Sequence, residues 1–298
     1  MGWIAAGGDE AWARHLLADP LNTSASTIAG VGALRVDKDR ATLSGTWGFN
    51  TGCLHATWLG GLAIVEGMDA GGDGLPLRMC WVPSDRAEIM DDWDPTGMRG
   101  TGSHSIVIPE QEVATAWTID LSSRTTKDLG PHGCLVGNGN WPIAGSVAST
   151  QLGNARRALD ECRRLIRTKA PAPDFRPLAE NSAVQRRLIE LEGNWMAASA
   201  SVERELDSMW EEATHPGELS TECRWRLSAA NITANRIAVD VVNGACELTG
   251  TAVANMKGLL GRCLRDAHTL AGHIATGGTS QERAAQVSCG TLEPDFMV

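Results

Sequence analysis

The sequence predicts an α+β fold, in which a middle antiparallel β domain is followed by a C-terminal four-helix bundle. Two patterns support this prediction. From residue 33 to residue 108, short segments of β-branched or alternating residues are separated by turns of Gly, Asp and Pro, as in antiparallel sheets. After Pro142, apolar residues recur every three or four positions over long stretches, as they do in amphipathic helices.

The elements are expected in the following order. Residues 9–18 form a helix that ends before Pro20, because proline cannot continue a helix. The expected strands cover residues 33–36, 41–47, 57–65, 77–82 and 103–108. The expected helices cover residues 144–169, 188–210, 234–248, 253–274 and 279–289. Helices that follow one another in this way favour an antiparallel bundle.

The composition excludes several classes of protein. The chain has 298 residues, of which 43% are hydrophobic and 21% charged, as expected for a globular protein of two or three domains. Its formal net charge of -10 makes it a poor binder of phosphate backbones, so nucleic acid is not an expected partner. No apolar run approaches the roughly 18 residues that a spanning helix needs, so no membrane association is expected.

The eight cysteines are scattered, without a CxxC pair or a metal-type cluster. Such cysteines are usually small buried side chains in a reducing compartment, and residues 1–15 show no basic segment followed by an apolar run. We therefore expect a cytoplasmic protein without a metal site. The chain has no tyrosine, which excludes a tyrosine general acid.

Several familiar catalytic and nucleotide-binding motifs are missing. There is no GxxxxGKS/T, HExxH or GxSxG pattern. Gly30 and Gly32 lack a third spaced glycine and open no clear βαβ unit, so a Rossmann site is not expected. Adjacent carboxylates such as Asp91–Asp92 are most simply explained as solvated turns and helix ends.

Four segments, taken in order, carry a resemblance to a known family. They are Ser44–Cys53 with His55 and Trp58, Asp92–Pro109, Gly153–Gly250, and Arg262–Thr269 with His273. The combination of GMRGTGSH after a Trp-Asp turn with LRDAH on a late helix is more specific than either segment alone. The chain resembles the acyl-CoA dehydrogenase superfamily over nearly its whole length, and most closely its two-component flavin monooxygenases.

The resemblance implies three parts. Residues 1–25 would be the remnant of an N-terminal helical domain of which most is missing. Residues 26–130 would be the middle β domain, and residues 131–298 the C-terminal helical bundle. In the family, the N-terminal domain covers one side of the flavin and substrate cleft, so its absence bears on whether the chain is active.

The resemblance also implies a bound flavin, as reduced FMN or FAD. A flavin needs a flat apolar face, hydrogen-bond partners at its pyrimidine edge and backbone N–H groups near its phosphate. The expected cofactor-binding residues are Phe49, Asn50, Thr51, Gly52, Arg99, Thr101 and Ser103. Thr51 would bond the ring, and Gly52 would let the backbone come close. The alternatives are a polar β-turn at residues 49–52 and a tight loop between strands at residues 97–103.

The acid–base residues are expected on the late helix. His268 and its neighbour Asp266 are the catalytic candidates, because a histidine titrates close to neutrality. The residues expected on the substrate side are His55, Trp58 and His273. The alternatives are a structural helix histidine at 268 and a simple strand-end residue at 55, while Trp47 and Trp93 are expected in the core.

The implied activity is that of a flavin-dependent monooxygenase, either a hydroxylase or an N-oxygenase. It would take reduced flavin from a separate reductase as a transient partner and use O2 on a small organic substrate. The family resemblance also implies a homotetramer.

Two alternatives remain open. The missing N-terminal domain would suit a non-catalytic or helper subunit of the same fold. An acyl-CoA dehydrogenase would need a glutamate base, but Gly277 and Ile274 stand at the two positions where one is expected. Glu282 nearby keeps this alternative open.

Overall fold

The computed structural model describes residues 8–67, 76–121, 141–213, 219–294 and 298. The chain divides into two compact units. Unit 1 comprises Met1–Asp94 and Arg99–Gly137, and unit 2 comprises Pro95–Met98 and Asn138–Val298. The domain boundary expected at residues 130 and 131, and the first seven residues of the expected N-terminal remnant, lie outside the described residues.

Unit 1, as described, contains one α-helix, three short 3-10 helices and one sheet. Helix α1 covers Glu10–Ala18, as expected, and Asp9 caps it by accepting a hydrogen bond from the Trp12 backbone N–H at 3.0 Å. The strands are β1 (Ser24–Asp37), β2 (Arg40–Trp47), β3 (Trp58–Val65), β4 (Leu77–Pro83), β5 (Glu88–Ile89), β6 (Ile106–Ala114) and β7 (Thr118–Asp120). Their order in the sheet is β5-β6-β2-β1-β3-β4-β7.

The sheet is mixed, so the purely antiparallel sheet expected from the sequence is wrong in one pair. Strands β1 and β3 run parallel, with Ser24 opposite Trp58, while the other pairs run antiparallel. The chain leaves β2, turns, and enters β3 on the far side of β1. Alternation of residues along a strand does not report its direction relative to a neighbour, so the sequence pattern could not show this. The α+β fold class itself is confirmed.

Trp47 fills the middle of unit 1. Its side chain is fully buried, and its indole N–H donates to the Leu62 carbonyl at 2.7 Å. Gly32, Gly45 and Gly61 leave room for the ring, since a Cβ at any of these positions would overlap the indole. The expected core position of Trp47 is confirmed, and its packing fixes the end of β2 from which the next turn begins.

Helix α1 shares a second apolar cluster with the sheet. Trp12 and Leu16 are buried there together with Trp58, Met79 and Trp81. The rings of Trp12 and Trp58 meet edge to face, with centroids 5.7 Å apart. This packing makes α1 part of the core of unit 1.

Unit 2 is helical in its described residues. Its helices are α2 (Trp141–Thr168), α3 (Ser182–Ala213), α4 (Thr221–Thr249), α5 (Leu259–Ala271) and α6 (Gly278–Ser288). One apolar core contains residues of α2, α3, α4 and α5, whereas the four-helix bundle arrangement remains a prediction. The helix expected at 253–274 begins only at Leu259, because Gly250–Ala254 forms a separate 3-10 turn.

Helix α4 and the turn after it, Thr221–Ala254, are long and apolar enough to cross a membrane by length and composition alone. Core helices of globular proteins can share these properties. Residues along α4, including Ala234, Ala238, Val241 and Ala245, are buried in the core of unit 2. Packing inside unit 2 accounts for the apolar character of these residues.

Candidate functional site

The turn after β2 carries four of the residues expected to hold a cofactor. It covers residues 48–55 and places two of them in the left-handed backbone region, Phe49 at φ 56° and Gly52 at φ 81°. Nothing lies within 4 Å of the position that a Cβ on Gly52 would take. The backbone at Gly52 is therefore open to the close approach of a ligand.

Three hydroxyl groups meet where this turn contacts residues 101–104. Oγ of Ser103 lies 2.8 Å from Oγ1 of Thr51 and 2.7 Å from Oγ1 of Thr101. The backbone N–H of Gly52 donates to the Thr101 carbonyl at 3.3 Å. Ser103 is buried, whereas Thr51 is exposed. This group, named the hydroxyl cluster, can offer both donors and acceptors to a ligand.

Asn50 anchors the turn to the sheet. Its side chain is fully buried, and its Nδ2 donates to the Gly60 carbonyl at 2.9 Å. Its backbone N–H donates to the His104 carbonyl at 3.1 Å. Its Oδ1 has no hydrogen-bond partner in the part of the chain that the structure describes. The amide nitrogen thus serves the fold, and only the oxygen is left for the expected cofactor role.

Phe49, which lies two residues before Thr51, pairs with the ring of Trp93. Trp93 is half-buried and does not belong to the core expected for it. The two ring centroids are 5.8 Å apart at an interplanar angle of 79°, and Phe49 is 66% exposed. Nδ1 of His104 accepts hydrogen bonds from the backbone N–H groups of Trp93 at 3.1 Å and Asp92 at 3.2 Å. A ring nitrogen that accepts carries no proton, so these bonds place the His104 proton on Nε2. His104 thereby holds the backbone at Trp93, and the Trp93 ring in turn packs against the exposed ring of Phe49.

The other residues of unit 1 that were expected to contact the cofactor or the substrate do not belong to the hydroxyl cluster. Arg99 is exposed, and its Nη1 lies 2.7 Å from the Asp94 carboxylate, so part of its charge is already paired. His55 is exposed at the end of the turn. Trp58 is buried in the core and meets the ring of Trp117 edge to face at 5.1 Å. Core packing accounts for Trp58, and its expected contact with substrate finds no support in this position.

In unit 2, Asp266 contacts the short segment Pro95–Met98. Its Oδ1 accepts a hydrogen bond from the Met98 backbone N–H at 2.6 Å. Gly97 lies directly against α5, where a Cβ would overlap the Arg265 carbonyl. The structure therefore gives Asp266 a positioning role for this segment. The expected proton-transfer role of Asp266 is not supported by this bonding.

His268 lies on the exposed side of α5. Its Nε2 is 2.9 Å from Oδ1 of Asn243 on α4. Because an amide oxygen only accepts, Nε2 donates in this pair, and the proton of the neutral ring resides there. Nδ1 is then left with a lone pair, which is the form in which an imidazole takes up a proton.

His273 differs from His268 in both exposure and bonding. It is half-buried before the 3-10 turn Ile274–Thr276, and its Nδ1 accepts a hydrogen bond from the Ala275 backbone N–H at 3.2 Å. Burial lowers the pKa of His273 below the usual value for histidine. The neutral ring therefore carries its proton on Nε2, where it can act as a hydrogen-bond donor.

Two residues of these arrangements could not be found from the sequence. Asn243 lies 25 positions from its partner His268, and His104 lies 11 or 12 positions from the backbone groups that it accepts from. Neither spacing belongs to a local motif. The only signal at His104 was its place in the GMRGTGSH segment, and Asn243 had none.

The donor set of unit 1 fits a flavin. The hydroxyl cluster supplies partners for a polar ring edge, the unpartnered Oδ1 of Asn50 is an additional acceptor, and Phe49 supplies an exposed apolar ring. The open backbone at Gly52 allows close approach. In the described part of the chain, no group of three or more His, Cys, Asp or Glu residues could hold a metal ion.

Comparison with known proteins shows what the chain is similar to. The family described as acyl-CoA dehydrogenase, C-terminal domain, matches residues 146–277. Indole-3-acetate monooxygenase of Pseudomonas putida is 27% identical over 309 residues, which cover 97% of this chain and 75% of that protein. The oxygenase subunit HsaA of a flavin-dependent monooxygenase from Rhodococcus jostii is 35% identical over 94 residues, or 30% of this chain and 23% of that protein.

The fold is also shared with a solved structure. XiaF from Streptomyces sp., in complex with FADH2 and glycerol, matches with a TM-score of 0.87 and 22% identity over 98% of this chain and 75% of that one. The resemblance seen in the four sequence segments is confirmed. Residues 146–277 match the acyl-CoA dehydrogenase C-terminal domain, and the chain is similar over nearly its whole length to monooxygenases.

Proposed function

We propose that the chain is the oxygenase component of a two-component flavin monooxygenase. A separate reductase would supply reduced FMN or FAD, which provides two electrons when bound. One oxygen atom of O2 would enter a small organic substrate, and the other would leave as water. The names of the monooxygenase relatives and the FADH2 complex of XiaF support this proposal.

The hydroxyl cluster is the observation that carries the proposal. Thr51, Thr101 and Ser103 come from two separate segments and meet within 2.8 Å beside an open backbone. A tight polar turn of purely structural use would not need an exposed Thr51 hydroxyl at one end of this chain of hydrogen bonds. We expect this hydroxyl to bond the flavin ring, with Ser103 orienting it from the buried side.

The two histidines of unit 2 suit different tasks. His268 presents an unprotonated Nδ1 and so would accept a proton from the substrate. The Nδ1 of His273 is engaged, and burial keeps its ring neutral, so it would donate a hydrogen bond from Nε2. In this proposal His268 acts as a base and His273 as a hydrogen-bond donor. The sequence alone did not distinguish these two roles.

The substrate class proposed is a small aromatic compound. The support is that the Pseudomonas putida relative is named for indole-3-acetate, a small molecule with an indole ring. An aromatic ring would also match the exposed ring of Phe49, since aromatic side chains stack well on aromatic ligands.

Flavin binding provides the first test. Anaerobic titration with reduced FMN and reduced FAD should give a saturable complex. Thr51→Val and Ser103→Ala should each raise its Kd about tenfold, the cost of roughly one hydrogen bond. Thr46→Val alters an exposed threonine of β2 and should leave the Kd unchanged. Equal Kd values in all four proteins would contradict the role of the hydroxyl cluster.

Oxygen transfer provides the second test. With a flavin reductase, NADH and ¹⁸O2, a panel of phenols and indole acids should yield a product that contains one ¹⁸O atom. Hydrogen peroxide alone, with no oxygenated product from any compound, would contradict the monooxygenase proposal.

The helper-subunit alternative predicts a different outcome. The chain spans 75% of the length of the Pseudomonas putida relative, so a second chain could complete it. In that case the protein alone would retain no flavin, and native mass measurement of the protein purified from its own cells would show a stable hetero-oligomer. The acyl-CoA dehydrogenase alternative has little support, because Gly277 caps α6 where the base would stand and Glu282 is exposed on that helix.

A cytoplasmic homotetramer completes the proposal. Six of the seven described cysteines are buried and all seven are free, which suits a reducing compartment. The tetramer rests on the family resemblance. Cell fractionation would test the location, and light scattering coupled to size-exclusion chromatography would test the oligomeric state.

A further inference from the structure

Helix α5, which carries His268, is tied to its neighbours at several points. Gln151 of α2 donates to the Ala267 carbonyl at 2.8 Å, and Asn154 donates to the Cys263 carbonyl at the same distance. Asp266 accepts from the Met98 backbone at 2.6 Å. The helix is therefore held along the turn that leads into His268. What remains to be fixed is the rotation of the imidazole ring and the ring nitrogen that bears its proton.

Asn243 restricts those two freedoms. Its Oδ1 lies 2.9 Å from Nε2 of His268, so one hydrogen bond fixes both the orientation of the ring and the nitrogen that bears the proton. The platform beneath Asn243 is close-packed, because a Cβ on the next residue, Gly244, would lie 2.6 Å from Cδ2 of Leu191 on α3. The amide is thus presented from a backbone that has little room to move.

We propose that Asn243 is a positioning residue, which holds His268 as its Nε2–H tautomer and so presents Nδ1 as the proton acceptor. This inference rests on the proposed function for the use of the proton, but the tautomer is a property of the protein alone. In the step concerned, an O–H or N–H bond of the substrate breaks, its electron pair stays on the substrate, and the proton forms a bond with Nδ1. Asn243 itself gains and loses no proton.

The direct test is the nuclear magnetic resonance spectrum of ¹⁵N-histidine-labelled protein without flavin, recorded at a pH where the ring is neutral. His268→Gln identifies the His268 signals among the seven histidines. The wild type should show a single Nε2–H tautomer. Asn243→Leu should move the signals toward the mixture of tautomers of a histidine in water, whereas Asn243→Asp, which still accepts, should retain the wild-type pattern.

Asp240→Asn is the matched control, because Asp240 is an exposed residue of α4 one turn before Asn243. It should leave the His268 signals unchanged. If Asn243→Leu also leaves them unchanged, Asn243 does not position His268 and the proposal is overturned.

Kinetics then connects the tautomer to the reaction. Asn243→Leu should lower kcat about tenfold, with KM and the flavin Kd unchanged, because misplacing a base affects the proton transfer and not binding. Asn243→Asp should restore most of the activity. A shifted tautomer with unaltered kcat would overturn the positioning role. Failure of the wild type to oxygenate any substrate would overturn the proposed function instead, and the flavin-free spectrum separates the two outcomes.

Discussion

At the scale of single residues, the hydrogen bond at one ring nitrogen decides what each histidine can do. Nδ1 accepts a backbone N–H in both His104 and His273, whereas Nε2 donates to a side chain in His268. The three rings are chemically identical, but only His268 is left with a free acceptor nitrogen. The sequence identified the histidines as candidates, but it contained no sign of these bonds, because their partners are brought together by the fold.

The lowered pKa of His273 leads to a prediction about stability. A histidine whose pKa is lower in the folded protein destabilises the fold once the unfolded chain begins to take up the proton. Its contribution to stability is therefore complete above the ordinary pKa of about 6.5 and is lost as the pH falls through the lower folded value. His273→Asn keeps an acceptor for the Ala275 N–H but does not titrate. Between pH 7 and 5, about the range of histidine titration, the free energy of unfolding should fall more steeply in the wild type than in this variant.

Urea unfolding at several pH values would measure this difference. His15→Asn provides a control, since His15 is exposed on α1. Its pH dependence should follow the wild type. Parallel curves for wild type and His273→Asn would contradict the effect of burial on His273.

At the scale of elements, the cofactor candidates of unit 1 lie in turns and loops, where the sequence is least informative, whereas Asp266 and His268 lie on helix α5. The main strands and helices were predictable because alternation and the three-to-four spacing report which faces are buried. The short strands β5 and β7 were not predicted, and β1 and α4 begin well before the expected residues 33 and 234. The parallel pairing of β1 with β3 was not predictable, because it depends on the route of the chain between strands. The 3-10 turn at Gly250–Ala254 takes up the first two residues of the helix expected at 253–274, and the helix itself begins at Leu259.

The contact of the Pro95–Met98 segment with α5 can be tested through its glycine. In Gly97→Ala, the new methyl group would overlap the Arg265 carbonyl, so the segment must move and weaken the Met98 bond to Asp266. We expect a loss of about 1–3 kcal/mol in the free energy of unfolding, as for other overpacked positions. Differential scanning calorimetry would show this as a lower Tm.

Gly100→Ala is the control for this substitution. Gly100 lies three residues away, and nothing lies within 4 Å of the position that its Cβ would take. Its effect should stay within about 0.5 kcal/mol, as for most surface substitutions. Equal Tm values for the two variants would show that Gly97 is not needed for the close approach.

At the scale of the whole molecule, the sequence predicted the α+β class and the similarity to flavin monooxygenases, because several segments agreed over nearly the full length. It also named Phe49, Asn50, Thr51 and Gly52 as one group, and the structure places all four in the turn after β2. It could not show that Asn50 and Trp58 are buried, since exposed and buried residues alternate irregularly between them. Burial of a side chain is set by tertiary packing, so candidates taken from a motif include structural residues as well as functional ones.

Two buried carboxylates join the long helices of unit 2. Glu192 of α3, only 8% exposed, contacts Arg156 at 2.8 Å and Arg163 at 2.6 Å, both on α2. Glu205 of α3 contacts Arg226 of α4 at 3.0 Å. Burial opposes ionisation of Glu192, but the hydrogen bonds and charges of the two arginines outweigh it and keep its pKa below the usual value. These ion pairs therefore make the stability of unit 2 dependent on pH.

Glu192→Gln tests this dependence against Glu190→Gln, an exposed carboxylate of the same helix that lies 3.0 Å from Arg187. Because the folded pKa of Glu192 is lowered, its contribution is complete above the unfolded value of about 4.3 and is lost as the pH falls through the folded one. At pH 7, about neutrality, Glu192→Gln should lower the free energy of unfolding by about 2 kcal/mol, since it removes the buried charge that Arg156 and Arg163 share. Glu190→Gln should change it by less than about 0.5 kcal/mol. The loss of stability in Glu192→Gln should become smaller in acid, because Glu192 of the wild type is then protonated as well. Denaturant titrations down to pH 3, roughly one unit below that unfolded value, would measure it. A loss that stays constant over this range would mean that packing rather than charge holds α2 and α3 together.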